Sequence, residues 1–214
     1  MITEELNCET VFTIPVFGGI PVGESTVVTW IIMAALTIIS ILLVRNLKVE
    51  NPGKKQLALE AGIGFLQDFF TDILGERGKR YVPYLITVAI YIGVANLIGL
   101  LGFKPPTKDL NVTAGLAIMS ICLIEYSGFR QKGLKGFVHS FAEPMAIAIR
   151  PVSLCMRLFG NVIGAFVVME LIKMIIPVAI PVPLSLYFDI FDGLIQAYVF
   201  VFLTSLFIKE QIEE

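Results

Sequence analysis

Apolar residues along this chain come in long blocks separated by short charged clusters. Five blocks stand out: Thr26–Val44, Tyr81–Phe103, Val112–Ser127, Val138–Ile176 and Leu184–Ile208. A helix needs about 20 apolar residues to cross a bilayer. The first two blocks fit that length, and the third is slightly short. A sixth region, Gln56–Leu74, has a different pattern. Phe65, Leu66, Phe69, Phe70 and Ile73 recur at helical spacing against Glu60, Gln67, Asp68 and Asp72. That is amphipathic and predicts a helix on the membrane surface or against other helices, not a crossing. The fourth block is too long for a perpendicular span: it makes about 58 Å of helix against a hydrocarbon core of about 30 Å. It must tilt strongly or bend near Pro144 and Pro151. The expected architecture is an all-α polytopic membrane protein with five transmembrane helices and one amphipathic interfacial helix. It forms a single membrane domain over 1–214, preceded within it by an extracytoplasmic N-terminal segment at 1–25.

Composition agrees: hydrophobic residues make up 56% of the 214 and charged residues 16%, and mean hydropathy is +0.83. These values lie on the membrane side of the soluble norm. A net charge of −2 argues against a nucleic-acid partner. Cys8, Cys122 and Cys155 have no metal-ligand spacing, and His139 is a lone histidine, so neither a disulfide framework, a metal site nor a cofactor is expected. The acidic start, MITEELNCET, lacks the basic region of a cleaved signal peptide. Charge then orients the spans. Arg45, Lys48, Lys54, Lys55, Arg77, Lys79 and Arg80 fall between the first two blocks. Arg130, Lys132 and Lys135 fall between the third and fourth, and Lys209 follows the fifth. The loop after the second block carries only Lys104 and Lys108. The positive-inside rule puts the N-terminus outside and the C-terminus in the cytoplasm.

The chemistry lies in charges inside the blocks. The fourth holds Glu143, Arg150, Arg157, Glu170 and Lys173. Glu143, Arg150 and Arg157 are spaced by seven and share a helical face, which Asn161 and Gly164 extend. In the fifth block Asp189, Asp192 and Gln196 stand at i, i+3 and i+7, again one face. Two carboxylates one turn apart titrate as a coupled pair. Charges in lipid are costly, so both stripes should face protein or water. The orientation puts Glu143 near the cytoplasmic end and Glu170, Asp189 and Asp192 towards the outside, with Arg157 between. An arginine cannot lose its charge. Such an order suits ion entry on one side and exit on the other, with no direct passage. Plainer readings stand beside it. Arg157 pairs with Asp189 or Asp192; Arg150 snorkels or pairs with Glu143; Glu170 and Lys173 form a local ion pair. Gly160 and Gly164 mark close helix packing, and Asn96 makes an interhelical hydrogen bond.

Three stretches carry a resemblance. RPVSLCMRLFGN, Arg150–Asn161, resembles the most specific motif of subunit a of the F-type ATP synthase. PPTKDLNVTAGLA, Pro105–Ala117, resembles the segment that precedes that family's third crossing, and GLIQAYVFVFLTSLFI, Gly193–Ile208, its last helix. Order, spacing and topology match along nearly the whole chain. The resemblance implies an ion-translocating stator subunit for H⁺ or Na⁺, with two long, tilted final helices against a rotating ring of c subunits. It also implies peripheral-stalk b subunits and other ATP synthase subunits as partners, in the multi-pass setting of a bacterial inner membrane. Arg157 matches the essential arginine, Asn161 and Gln196 match polar positions beside it, and Glu143 matches an acidic position on the cytoplasmic side. Two positions depart: some members carry glutamate at the place of Phe166, where this chain has its acid at Glu170. Members vary between histidine and glutamate at the place of Asp189, and here Asp192 is added.

Two other readings remain at this point. A secondary transporter with a carboxylate–arginine relay would show internal repeats or broken midplane helices, and none is visible in the sequence. A purely structural anchor would tolerate Arg157→Lys. No Gly-rich phosphate loop is present, so the chain is not expected to be an enzyme on its own.

Overall fold

The computed structural model describes residues 10–14, 20–45, 47–48, 53–101, 105–132, 144–175 and 181–213. Before the first helix, β1 (Thr10–Ile14) and β2 (Ile20–Gly23) form an antiparallel hairpin that pairs Phe12 with Val22 and Ile14 with Ile20. Thr, Val, Ile and Phe favour extended backbone, and a two-stranded ribbon has only edge strands, so Pro21 interrupts no central ladder. The hydrophobic blocks carried no sign of it, because strands this short leave no long periodic run.

Helix α1 (Glu24–Val44) follows directly. Only Val28 and Ile32 of it are buried, while residues such as Ile38 and Leu42 lie open. An apolar surface of this extent is costly in water and natural in lipid. Helix α2 (Lys54–Gly78) covers the amphipathic region. Its regular winding breaks at Gly75, which has φ 67°, a conformation cheap only for glycine. There the chain turns and, through a 3₁₀ turn at Lys79–Tyr81, enters α3 (Val82–Leu97). Phe70 and Leu74 of α2 then join Tyr81, Leu85 and Ile92 in one core. Phe69 and Phe70 of the aromatic stripe therefore pack against other helices, Phe69 meeting Tyr198 at a ring distance of 5.7 Å, while Phe65 stays exposed.

Helix α4 (Leu110–Lys132) runs past the expected end at Ser127 and carries Arg130 on its last turn. Its start is held by Asp109, whose Oδ1 accepts from the Asn111 N–H at 2.9 Å. Helix α5 spans Pro144–Ile175, with Pro151 inside. Residues 138–143 of the predicted fourth block lie outside the described set. At 1.5 Å per residue α5 alone reaches about 48 Å, longer than a hydrocarbon core of about 30 Å. The chain ends in a short α6 (Pro181–Leu186), a π-helical segment at Tyr187–Asp192, and α7 (Gly193–Glu213), which run into one another. Among the described residues, five stretches are long and apolar enough to cross a membrane: Glu24–Val44, a window within Lys54–Leu100, Leu110–Gln131, Ile149–Ile172 and Ile190–Ile212. Helix α7 is the hub and packs against α2, α3 and α4, while α5 leans mainly on α4. Phe200, Val201 and Ile208 of α7 and Leu154 and Leu158 of α5 are fully buried in this core.

Candidate ion pathway

Two faces of α5 have separate fates. Leu154, Cys155 and Leu158 are buried, and Thr113 of α4 contacts Cys155 Sγ at 3.6 Å. Around the helix, Ser153, Met156, Arg157, Gly160 and Gly164 are exposed. Arg157 therefore stands on an open strip of small residues, and among the described residues no carboxylate forms an ion pair with it. One turn later, Asn161 turns towards the last helix. Its Nδ2 donates to Asp192 Oδ2 at 2.9 Å and lies 3.4 Å from Gln196 Oε1.

Gln196 is 5% exposed, and among the described residues its Nε2 has no hydrogen-bond partner. Burying such a donor costs about 1–3 kcal/mol, so the arrangement favours an acceptor arriving there. Asn161, Asp192 and Gln196 thus form one polar cluster between α5 and the N-terminal end of the last helix, with a carboxyl oxygen and an N–H that has no partner among the described residues. Asp189 belongs to the π segment by its backbone; its side chain lies outside the described set, as do Lys173's side chain and all of Glu143. Glu170 is half-buried on α5. Phe166, one turn before it, lies under the Lys108 ammonium, 3.4 Å from the ring centroid. The position where an acid is met elsewhere is here an aromatic ring under a cation.

Arg150 pairs with Glu210 of α7: Nη2 to Oε2 is 3.0 Å, and the guanidinium lies 5.2 Å from the Phe207 ring centroid. This partner is on another helix; Glu143, considered above as its partner, lies outside the described residues. The Asp189–Asp192 reading also changes. The spacing i, i+3 puts two side chains on one face in an α-helix, but the wider π turn does not. In the π winding of Tyr187–Asp192, with about 4.4 residues per turn, the two backbone positions separate by about 115° instead of about 60°.

Asn96, read above as making an interhelical hydrogen bond, makes one to this region. Its Nδ2 donates to the Gly193 carbonyl at 2.9 Å, and Thr107 donates to Asn96 Oδ1 at 2.8 Å. Thr107 lies in the Pro-Pro-Thr turn of the second motif and was not singled out. The sign available in sequence was a buried amide at the end of α3 facing a glycine in the last helix.

The family model for the ATP synthase A chain matches residues 26–209. Subunit a of ATP synthase from Moorella thermoacetica is 36% identical over 89% of this chain and 91% of its own length. The Geotalea daltonii subunit is 35% identical over 90% and 89%. The sodium-ion-specific subunit a of Propionigenium modestum is 32% identical over 91% of this chain and 75% of its own length. With five helices able to cross a membrane and this match over most of its length, the chain belongs to the ATP synthase A chain family, the ion-translocating, non-catalytic membrane subunit of the F-type ATP synthase.

Proposed function

We propose that the open strip of α5 around Arg157 is the surface that meets a rotating ring of c subunits, and that Arg157 is the group each ring carboxylate passes. The carrying observation is the split between Arg157 and Asn161. A permanent cation faces out of the bundle among small residues, while the amide one turn on faces inward to Asp192 and Gln196. A ring carboxylate beside Arg157 is held ionised, because an opposite charge favours its charged form. It must therefore give up its ion before it passes. Arginine never becomes the carrier, so the same residue divides the entry path from the exit path. Small side chains at Ser153, Gly160 and Gly164 let a neighbouring helix approach closely.

On this reading, Asp192, Asn161, Gln196, Asp189 and Glu170 line the outer half-channel, and Glu143 lies on the cytoplasmic one. The N-terminus is outside and the C-terminus inside a bacterial inner membrane, as the basic clusters favour. Exposed α1, with few contacts to the rest of the bundle, is the element on which we place the peripheral-stalk b subunits. The decisive experiment is Arg157→Lys in the assembled complex. Loss of ATP-driven ion pumping with normal assembly is expected, and normal coupled pumping would sink the reading.

A further inference from the structure

We propose that Asn96, Thr107 and Gly193 are positioning residues that hold the last helix in its π winding and thereby keep the backbone positions of Asp189 and Asp192 apart. The inference rests on the reading of those two acids as ion-pathway residues. Gly193 is the junction at which π gives way to α. Its N–H donates to the Phe188 carbonyl, the five-residue bond of a π-helix, and also to Ile190. Its own carbonyl accepts the Asn96 amide from α3 at 2.9 Å. The amide is oriented in turn by Thr107, which donates to Asn96 Oδ1 at 2.8 Å. Asn96 is 5% exposed and Thr107 0%, so the relay is shielded from competing water.

The fit also explains why residue 193 is glycine. A Cβ there would lie 2.9 Å from Asn96 Cβ, closer than carbon atoms tolerate. Helix α3 therefore seats on the bare backbone at the end of the π segment. A π segment is a costly winding that recurs at functional sites. Here it holds two acids that an α-helix would bring to one face, where like charges repel. With the segment wound as π, Asp192 meets Asn161 without Asp189 standing on the same line. Relaxation to α, pivoting on Gly193, turns residues 187–189 by roughly one residue's worth of rotation and brings Asp189 back towards the Asp192 face.

The test uses the assembled ATP synthase in vesicles. Asn96→Leu keeps the volume and removes the donor; Gly193→Ala pushes a methyl group against Asn96. Both are expected to lower ATP-driven ion pumping about tenfold with normal assembly, the effect of one lost buried hydrogen bond. Register is read by maleimide labelling of Tyr187→Cys and Phe188→Cys, with Cys8, Cys122 and Cys155 replaced by alanine. Tyr187 is 51% exposed and Phe188 half-buried. Asn96→Leu should slow labelling at 187 and speed it at 188. Unchanged labelling overturns the proposal, and so does shifted labelling with normal pumping. Where Asn96→Leu fails to assemble, Thr107→Val makes the milder cut, and the same labelling shift is required of it. Asp189→Asn combined with Asp192→Asn separates the two levels: if it leaves pumping normal, the pathway reading fails, whereas the relay fails only on the labelling and pumping of the Asn96 and Thr107 variants.

Discussion

Arg150 and Arg157 are the same residue type on the same helix, two turns apart, yet they do different physical jobs. Arg150 has 14% of its side chain exposed, bonded to Glu210 and set over Phe207. It ties α5 to α7. Arg157 is exposed two turns further along, among glycines and a serine, with no ion pair among the described residues. Helices α5 and α7 meet at two polar points, Arg150–Glu210 and Asn161–Asp192, and Arg157 lies between them. The comparison teaches that a charge in a membrane helix is read by what the neighbouring helix offers at that height. Residue spacing alone cannot tell a tie from an outward-facing group.

The largest expected effect separates these two arginines. Arg157→Lys should cut ATP-driven ion pumping at least about 100-fold, because a lysine ammonium is a point charge that can lose its proton in an apolar setting. Arg150→Lys should stay within about threefold, since a lysine still reaches a half-exposed carboxylate. Pumping rates of the two variants in reconstituted vesicles check this. Equal losses would erase the distinction between them.

The sequence made the helices legible because a bilayer demands long apolar blocks, and it made Arg157 and Asn161 legible because their setting is so apolar. It could not show which of two equally spaced arginines would find a partner, since Glu210 lies some sixty residues away in the chain. The face shared by Asp189, Asp192 and Gln196 assumed α winding, and the π segment breaks that assumption. The interhelical hydrogen bond of Asn96 was legible, but its partner was not, because that partner is a backbone carbonyl, which no side-chain pattern reveals. The hairpin at the start was hidden for a simpler reason: nine strand residues leave no periodic signal.

The next effect tests the second polar point between α5 and α7. Asp189→Asn combined with Asp192→Asn keeps both shapes and removes both exchangeable acids. ATP synthesis driven by an imposed ion gradient should fall at least about tenfold, the lower end of what a proton-transfer group supplies. Asp192→Asn alone should be milder if Asp189 also serves the path. An unchanged double variant removes both from it.

Gln196 sharpens the comparison further, because it separates stability from transport. Its orphaned Nε2 costs about 1–3 kcal/mol while buried, and Gln196→Leu removes the donor at similar volume. The complex should then resist thermal dissociation as well as or better than the parent, while pumping drops about threefold. Stability and activity moving in opposite directions is expected where a polar group is kept for function. A variant that lost both would make Gln196 a packing residue.

The smallest effect belongs to the tie itself. In Arg150→Met the aliphatic stem is kept, and the ion pair and the ring contact are lost. Glu210 remains 45% exposed, so water solvates the carboxylate left behind and no buried charge is stranded. A pair of this kind contributes about 1 kcal/mol, with a further ~0.5–1 kcal/mol from the cation over the ring. The expected outcome is a small fall in the temperature at which the complex dissociates, reduced further by high salt, with pumping close to normal. Loss of pumping as complete as in Arg157→Lys would mean that the Arg150 tie sets the position of the Arg157 strip. The two arginines would then act as one unit rather than as a tie and a separate charged face.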